Sequence, residues 1–159
     1  MTIFDLLIND HRSVNSILNQ IAKTTVAHLF KREALFIRLQ EEFTRHAISE
    51  EKVVYAPLKR KKKNEFKEDD EEHRLVESLF IQISRLCPSD SVWTTKMALL
   101  TKMIRSHVEE EETSLFKKLS TNLAFDELDQ MSRDFEFLKK ETAVPMDSRS
   151  SSLRTFFGS

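Results

Sequence analysis

Four stretches of this chain repeat apolar residues every three or four positions, and almost nothing inside them can break a helix. A single Gly and three Pro serve all 159 residues. Over residues 3–22, Phe4, Leu7, Ile8, His11, Val14, Leu18 and Ile21 share one face, and Thr2 with Asp5 forms a capping pair at the start. Over 30–57 the stripe is Phe36, Leu39, Phe43, His46, Glu50, Val53 and Val54. Over 65–87 it is Phe66, His73, Val76, Phe80 and Ile83, and over 91–119 it is Trp93, Met97, Leu100, Ile104, His107, Glu111 and Leu115. Pro57 with the basic run 59–63 marks the break after the second stretch, and Pro88-Ser89-Asp90-Ser91 marks the break after the third. Such a chain is expected to be all-α, an antiparallel up-down-up-down four-helix bundle. A short fifth helix is expected over about 125–140.

Each stripe carries a histidine where a hydrophobe belongs, and two carry a glutamate one turn later. A carboxylate inside a core is costly unless it is paired or bound to a metal. His46 with Glu50 and His107 with Glu111 repeat the pattern His-x-x-x-Glu-Glu, and residues at i and i+4 share a helix face. The likeness runs on, with Tyr55 and Phe116 nine residues after their histidines and Leu58 and Leu119 twelve after. The lone histidines fit the same repeat, since His11 precedes His46 by 35 residues and His73 precedes His107 by 34. The chain reads as two helical hairpins, each with a lone His on one helix and His-x-x-x-Glu on the next. Folded antiparallel, they bring four imidazoles and two carboxylates together at mid-bundle with pseudo-twofold symmetry.

Imidazole and carboxylate donors suit iron, manganese or zinc, and the absence of thiolates disfavours structural zinc. Two glutamates from opposite hairpins are able to bridge two metals, with two histidines completing the protein ligands of each. Positions then remain for an oxo or hydroxo bridge and for an exogenous molecule such as dioxygen. The expected ligands are His11, His46, Glu50, His73, His107 and Glu111.

This arrangement resembles the hemerythrin-like (HHE cation-binding) family, whose helices carry His, His-x-x-x-Glu, His and His-x-x-x-Glu in that order. The matching residues are His11 within Asn9-Asp10-His11, His46 with Glu50, His73 after Glu72, and His107 with Glu111. The opening Ile3-Phe4-Asp5-Leu6-Leu7 is also similar. The resemblance covers about residues 1–140 and leaves 141–159 as a Ser-rich, flexible tail. It implies a non-haem, carboxylate- and oxo/hydroxo-bridged di-iron centre with terminal histidines and with Glu50 and Glu111 as bridges. It implies a protein that binds or senses oxygen, nitric oxide or redox state, or that buffers iron. The competing reading is a di-metal oxidoreductase that reduces peroxide or oxidises ferrous iron. Binding or sensing is preferred to catalysis. Where the oxygen carriers of invertebrates place a second histidine one turn after that of the third helix, this chain has Glu77, one imidazole fewer.

Glu51 and Glu112 are read as solvent-facing, with bracing of a histidine as the alternative. Tyr55 is read as core packing, with hydrogen-bond donation near the metals as the alternative. His28 falls in a connection and is read as a surface residue. The net charge of −1 and the acidic residues that follow the basic run argue against nucleic acid as a partner. No apolar run approaches the ~18–20 residues needed to cross a bilayer. Cys87 is solitary, which excludes an internal disulfide, and no signal peptide is recognisable, so the expected location is the cytoplasm. A small diatomic or peroxide ligand at the metals and an unidentified protein partner complete the expectation.

Overall fold

The computed structural model describes residues 1–61 and 67–142, except for the side chains of 67–70. The expected tail lies outside these residues from 143 onward. The elements are α1 (Ile3–Ala22), α2 (Leu29–Glu50), a π-helical turn (Glu51–Tyr55), α3 (Ala56–Lys61), α4 (Lys67–Ser84), α5 (Ser91–Glu110), a second π turn (Glu111–Leu115), α6 (Phe116–Asn122) and α7 (Phe125–Glu141). No strand occurs among the described residues. α2, its π turn and α3 run on as one rod, as do α5, its π turn and α6. With α1 and α4 these rods make the four-helix bundle, and α7 is the fifth helix, packed on α1 and α2.

Local chemistry sets the helix ends. Thr2 and Asp5 form a reciprocal capping box at the start of α1, and Asp90 accepts from the Val92 amide to cap α5. His28 is exposed and sits at the N-cap of α2, where its Nδ1 accepts from the Thr25 amide at 2.9 Å. Pro57 does not end the second rod, contrary to the expected break. The wider π turn just before it accommodates a ring that would clash in the interior of an α-helix.

Two apolar clusters fill the bundle. One gathers Leu18, Leu39, Phe43, Phe80, Trp93 and Leu100, and the other gathers Leu7, Val54, Leu58, Leu119, Met131 and Phe135. Full burial of each such side chain is worth about 1.5–3 kcal/mol, which supplies the framework for a polar layer between them. At the outer end of the first cluster lies Arg32, only 4% exposed. Its guanidinium donates to Thr24 Oγ1 (2.9 Å), the Pro88 carbonyl (2.8 Å) and Thr94 Oγ1 (3.0 Å), and it covers the Trp93 ring at 4.8 Å. It thereby ties the α1–α2 connection to the start of α5 and locks the two hairpins together.

Candidate metal centre

All six residues expected as ligands are buried and meet in the polar layer: His11, His46, Glu50, His73, His107 and Glu111. Glu50 is 0% exposed and Glu111 is 2% exposed, so neither carboxylate meets solvent. Two groups form: His11, His46 and Glu111, then Glu50, His73 and His107, with the donor atoms of each group within 4.8 Å of one another. Each group thus takes two histidines from one hairpin and the glutamate of the other.

The outward nitrogens of the four imidazoles are held by carboxylates in a closed ring around the bundle. Asp10 on α1 takes His46 Nδ1 at 2.9 Å, and Glu51 after α2 takes His73 Nδ1 at 2.8 Å. Glu72 on α4 takes His107 Nδ1 at 2.6 Å, and Glu112 after α5 takes His11 Nδ1 at 3.0 Å. Every one of these carboxylates is the sequence neighbour of a proposed ligand: Asp10 of His11, Glu51 of Glu50, Glu72 of His73 and Glu112 of Glu111. A ring that donates Nδ1–H to a carboxylate presents an unprotonated Nε2 inward, the tautomer a metal needs. Glu51 and Glu112 therefore orient histidines rather than simply facing solvent. Glu77 lies partly buried and supplies no donor atom to either group.

Inside the ring the polar atoms are poorly served by one another. His11 Nε2, His46 Nε2 and both oxygens of Glu50 are buried without a hydrogen-bond partner, and Glu111 Oε1 lies 2.8 Å from His107 Nε2 but outside hydrogen-bonding geometry. His11 Nε2 lies 3.4 Å from Glu111 Oε1, and His46 Nε2 lies 3.4 Å from Glu50 Oε2. The Nε2 atoms of His73 and His107 face each other at 3.0 Å. Orphaned donors and acceptors of this kind are costly in an apolar interior, and cations between them remove the cost. Hard carboxylate oxygens with imidazole nitrogens and no sulfur fit iron, manganese or zinc.

The protein groups alone strain each other's charge. Burial, and then the neighbouring Glu111 charge, pushes Glu50 up to about 8. Burial works against a charged His107, yet Glu111, Glu72 and Glu50 together raise it to about 10. For Asp10 burial is again opposed, and His46 and Lys139 hold its carboxyl below the usual range.

Two features break the pseudo-symmetry. The Tyr55 hydroxyl donates to Glu111 Oε2 at 2.8 Å, and its ring stacks on His73 with centroids 5.6 Å apart. The equivalent position on the other rod is Phe116, which packs edge-on against Phe4 at 5.1 Å. Tyr55 is thus a site residue and not only core. The second feature is α7, whose Lys139 Nζ donates to Asp10 Oδ2 at 2.8 Å and whose Phe135 ring packs against His46 at 6.4 Å.

The sequence profile of the Hemerythrin HHE cation binding domain matches residues 2–119. A protein of Nostoc sp. described as a DNA nickase is 27% identical over 147 residues, covering 89% of this chain and 40% of that one. An uncharacterized hemerythrin-like protein of Schizosaccharomyces pombe is 27% identical over 145 residues, covering 87% of this chain and 69% of that one. The chain therefore spans less than half of the Nostoc relative. The crystal structure of a hemerythrin HHE cation binding domain-containing protein from Mycobacterium kansasii superimposes with a TM-score of 0.81. That match is 20% identical in sequence and covers 99% of this chain and 94% of the other.

Proposed function

Because the chain belongs to the hemerythrin HHE cation-binding family, we propose that it holds two iron ions through His11, His46, Glu50, His73, His107 and Glu111, and uses them to bind or sense oxygen, nitric oxide or redox state, or to buffer iron. The observation that carries this reading is the set of four buried, inward-facing ligand atoms without a hydrogen-bond partner. The four imidazoles would hold the ions through Nε2, and Glu50 and Glu111 would supply carboxylate oxygens from opposite hairpins. A pair of irons so held supplies one- and two-electron chemistry toward small oxidants and an affinity for diatomic molecules. The protein's own share is to keep the four histidines in one tautomer through Asp10, Glu51, Glu72 and Glu112. Phe43, packed against His46, His73 and His107 with centroids 6.0–6.5 Å away, shields the centre on the side of the first apolar cluster.

A second reading, a di-metal oxidoreductase that reduces peroxide or oxidises ferrous iron, is favoured by one feature. The Tyr55 hydroxyl on Glu111 is a proton donor placed within the site. DNA nicking is not part of the proposal, since a net charge of −1 gives no electrostatic footprint for nucleic acid. No described helix is long and apolar enough to cross a membrane, and the one cysteine is unpaired, which fits a cytoplasmic protein acting through an unidentified protein partner.

The test is anaerobic loading with Fe(II), then addition of oxygen, nitric oxide or peroxide while the absorption spectrum and the consumption of each reagent are followed. A stoichiometric spectral change that reverses on removal or reduction supports binding and sensing. Sustained consumption over many equivalents supports the oxidoreductase. An iron-loaded chain indifferent to all three reagents would leave iron buffering alone, and a chain that takes up no iron would overturn both readings.

A further inference from the structure

Of the four imidazoles in the ring, His46 has the most closely covered corner. Its carboxylate, Asp10, is 17% exposed, while Glu51, Glu72 and Glu112 behind the other three are 35%, 35% and 38% exposed. The cover is the C-terminal end of α7. We infer that docking of its last two turns, residues 135–141, is coupled to occupation of the metal centre through Lys139, Asp10 and His46. A cation on His46 holds the helix end down, and its removal lets the end loosen. The inference rests on the two-metal reading and deepens it, since it names the element through which the state of the centre reaches the surface.

The two ends of α7 are held differently. At its start Glu127 accepts from the Ala124 amide at 2.8 Å and from Lys61 Nζ at 2.6 Å, and Leu128 and Met131 join the apolar cluster of Leu7 and Leu58. From 136 to 142 every residue is exposed or partly exposed. Phe135, 1% exposed, packs its ring on His46 with centroids 6.4 Å apart, and the Lys139 ammonium donates to Asp10 Oδ2 at 2.8 Å. Both contacts tie this end of the helix to the His46 corner.

Asp10 Oδ2 is the shared atom, because it also accepts from His46 Nδ1 at 2.9 Å. The imidazole is therefore held from outside by Asp10 and Phe135. Its inner Nε2 has no hydrogen-bond partner and lies 3.4 Å from Glu50 Oε2. A cation on Nε2 supplies the inner constraint and fixes the ring, which keeps Nδ1–H aimed at Asp10 and the ring against Phe135. Removal of the cation frees the ring to turn, and both supports of the helix end move with it. The Lys139–Asp10 pair is mostly withdrawn from solvent, with side chains 18% and 17% exposed, so screening does not erase it. Two events that share one residue in this way are linked in both directions. The coupling runs through residues beyond the stretch matched by the family profile.

The experiment is hydrogen–deuterium exchange of the full chain, read by mass spectrometry on the peptide covering 135–141. It is run in chelator and in saturating, redox-silent Mn(II), with bound Mn(II) counted on the same samples. In the wild type this stretch should exchange at least about fivefold faster in chelator, the lower end of the coupling between linked sites. In Lys139→Met, or in Lys139→Ala should the first not fold, it should exchange fast in both conditions, with rates within about twofold. Lys139→Arg keeps the ion pair and should restore the difference, and circular dichroism reports whether each variant is folded. A wild type that binds two ions with unchanged exchange over 135–141 would overturn the inference and leave the two-metal reading standing. So would a slowing by Mn(II) that survives undiminished in Lys139→Met, because stabilisation of the whole bundle does not need the lysine. Absence of Mn(II) binding by the wild type would instead overturn the two-metal reading, and the inference with it.

Discussion

Stripped of cations, this protein should lose stability as the pH rises, whereas the loaded protein should gain it. The cause is the charge crowding around Glu50. Burial first, and the Glu111 charge second, raise its pKa from 4.5 to about 8. An acid that keeps its proton longer when folded than when unfolded costs nothing below 4.5. The cost grows as the pH climbs through the interval and is complete above about 8. His107 runs the same way. Burial resists its charge, but Glu111, Glu72 and Glu50 raise it to about 10, so its contribution is whole below 6.5 and is lost as the pH climbs toward 10. Glu111 is held low despite its burial, by Glu50 and by the histidines, so its contribution is complete above the ordinary 4.5 and adds no slope at neutral pH. At about 1.36 kcal/mol per pH unit, Glu50 and His107 should each remove about 2–3 kcal/mol between pH 6 and 8.5. Cations take the place of those protons, and their affinity rises as the protons leave. The assay is urea denaturation followed by circular dichroism at pH 6 and 8.5, with chelator and with saturating Mn(II). Burial works against a charged His46, yet Glu50, Asp10 and Glu111 hold it well above 6.5, which adds a loss of the same sign. Glu50→Gln in chelator should therefore flatten part of the loss and not all of it. Chelated protein whose stability is level or rising over this interval would refute the reasoning.

Other perturbations separate the framework from the site. Arg32→Met should lower stability by about 1–3 kcal/mol, because it removes the guanidinium from the buried Thr24 and from the partly buried Pro88 carbonyl, while Thr94 is exposed and can turn to water. Arg32→Lys should recover little of it, since an ammonium does not reproduce the fork, and thermal melting of both variants at the wild-type temperature would contradict the clamp. Glu51→Gln and Glu112→Gln, whose side chains are 35% and 38% exposed, should each weaken metal affinity about 10–100-fold while the chelated protein melts as before. Competition with a chromophoric chelator reads that change, and unaltered affinity would remove these residues from the histidine ring.

Much of the fold was legible because its signals are local. Periodicity located every long helix, and Trp93, Met97, Leu100, Ile104, His107, Glu111 and Leu115 are all buried as the stripe required. The convergence of the six His and Glu residues was legible for the opposite reason, since buried carboxylates at helical spacing conflict with a core unless they share a purpose. What stayed hidden were the π turns after Glu50 and Glu111. At about 100° per residue, a position nine after a histidine falls on the opposite face of a straight α-helix, and a position twelve after it falls well off line. One extra residue in the turn restores both, which carries Tyr55, Leu58 and Leu119 into the core. The repeated offsets of nine and twelve were visible, but no residue type announces a π turn. The wiring of Asp10, Glu51, Glu72 and Glu112 was equally obscure, because a charged residue beside a ligand looks like any solvated position until the neighbouring helix is in place. Lys139 lies 129 residues from Asp10, a separation across which spacing carries no information.

The central claim is that six side chains bind two cations. It is tested most directly by metal content per chain, measured by mass spectrometry on purified protein before and after anaerobic reconstitution with Fe(II), Mn(II) or Zn(II). Wild-type protein should hold about two ions per chain, and His46→Ala or His107→Ala should lose at least one. Wild-type protein that acquires no stoichiometric metal under any of these conditions would contradict it.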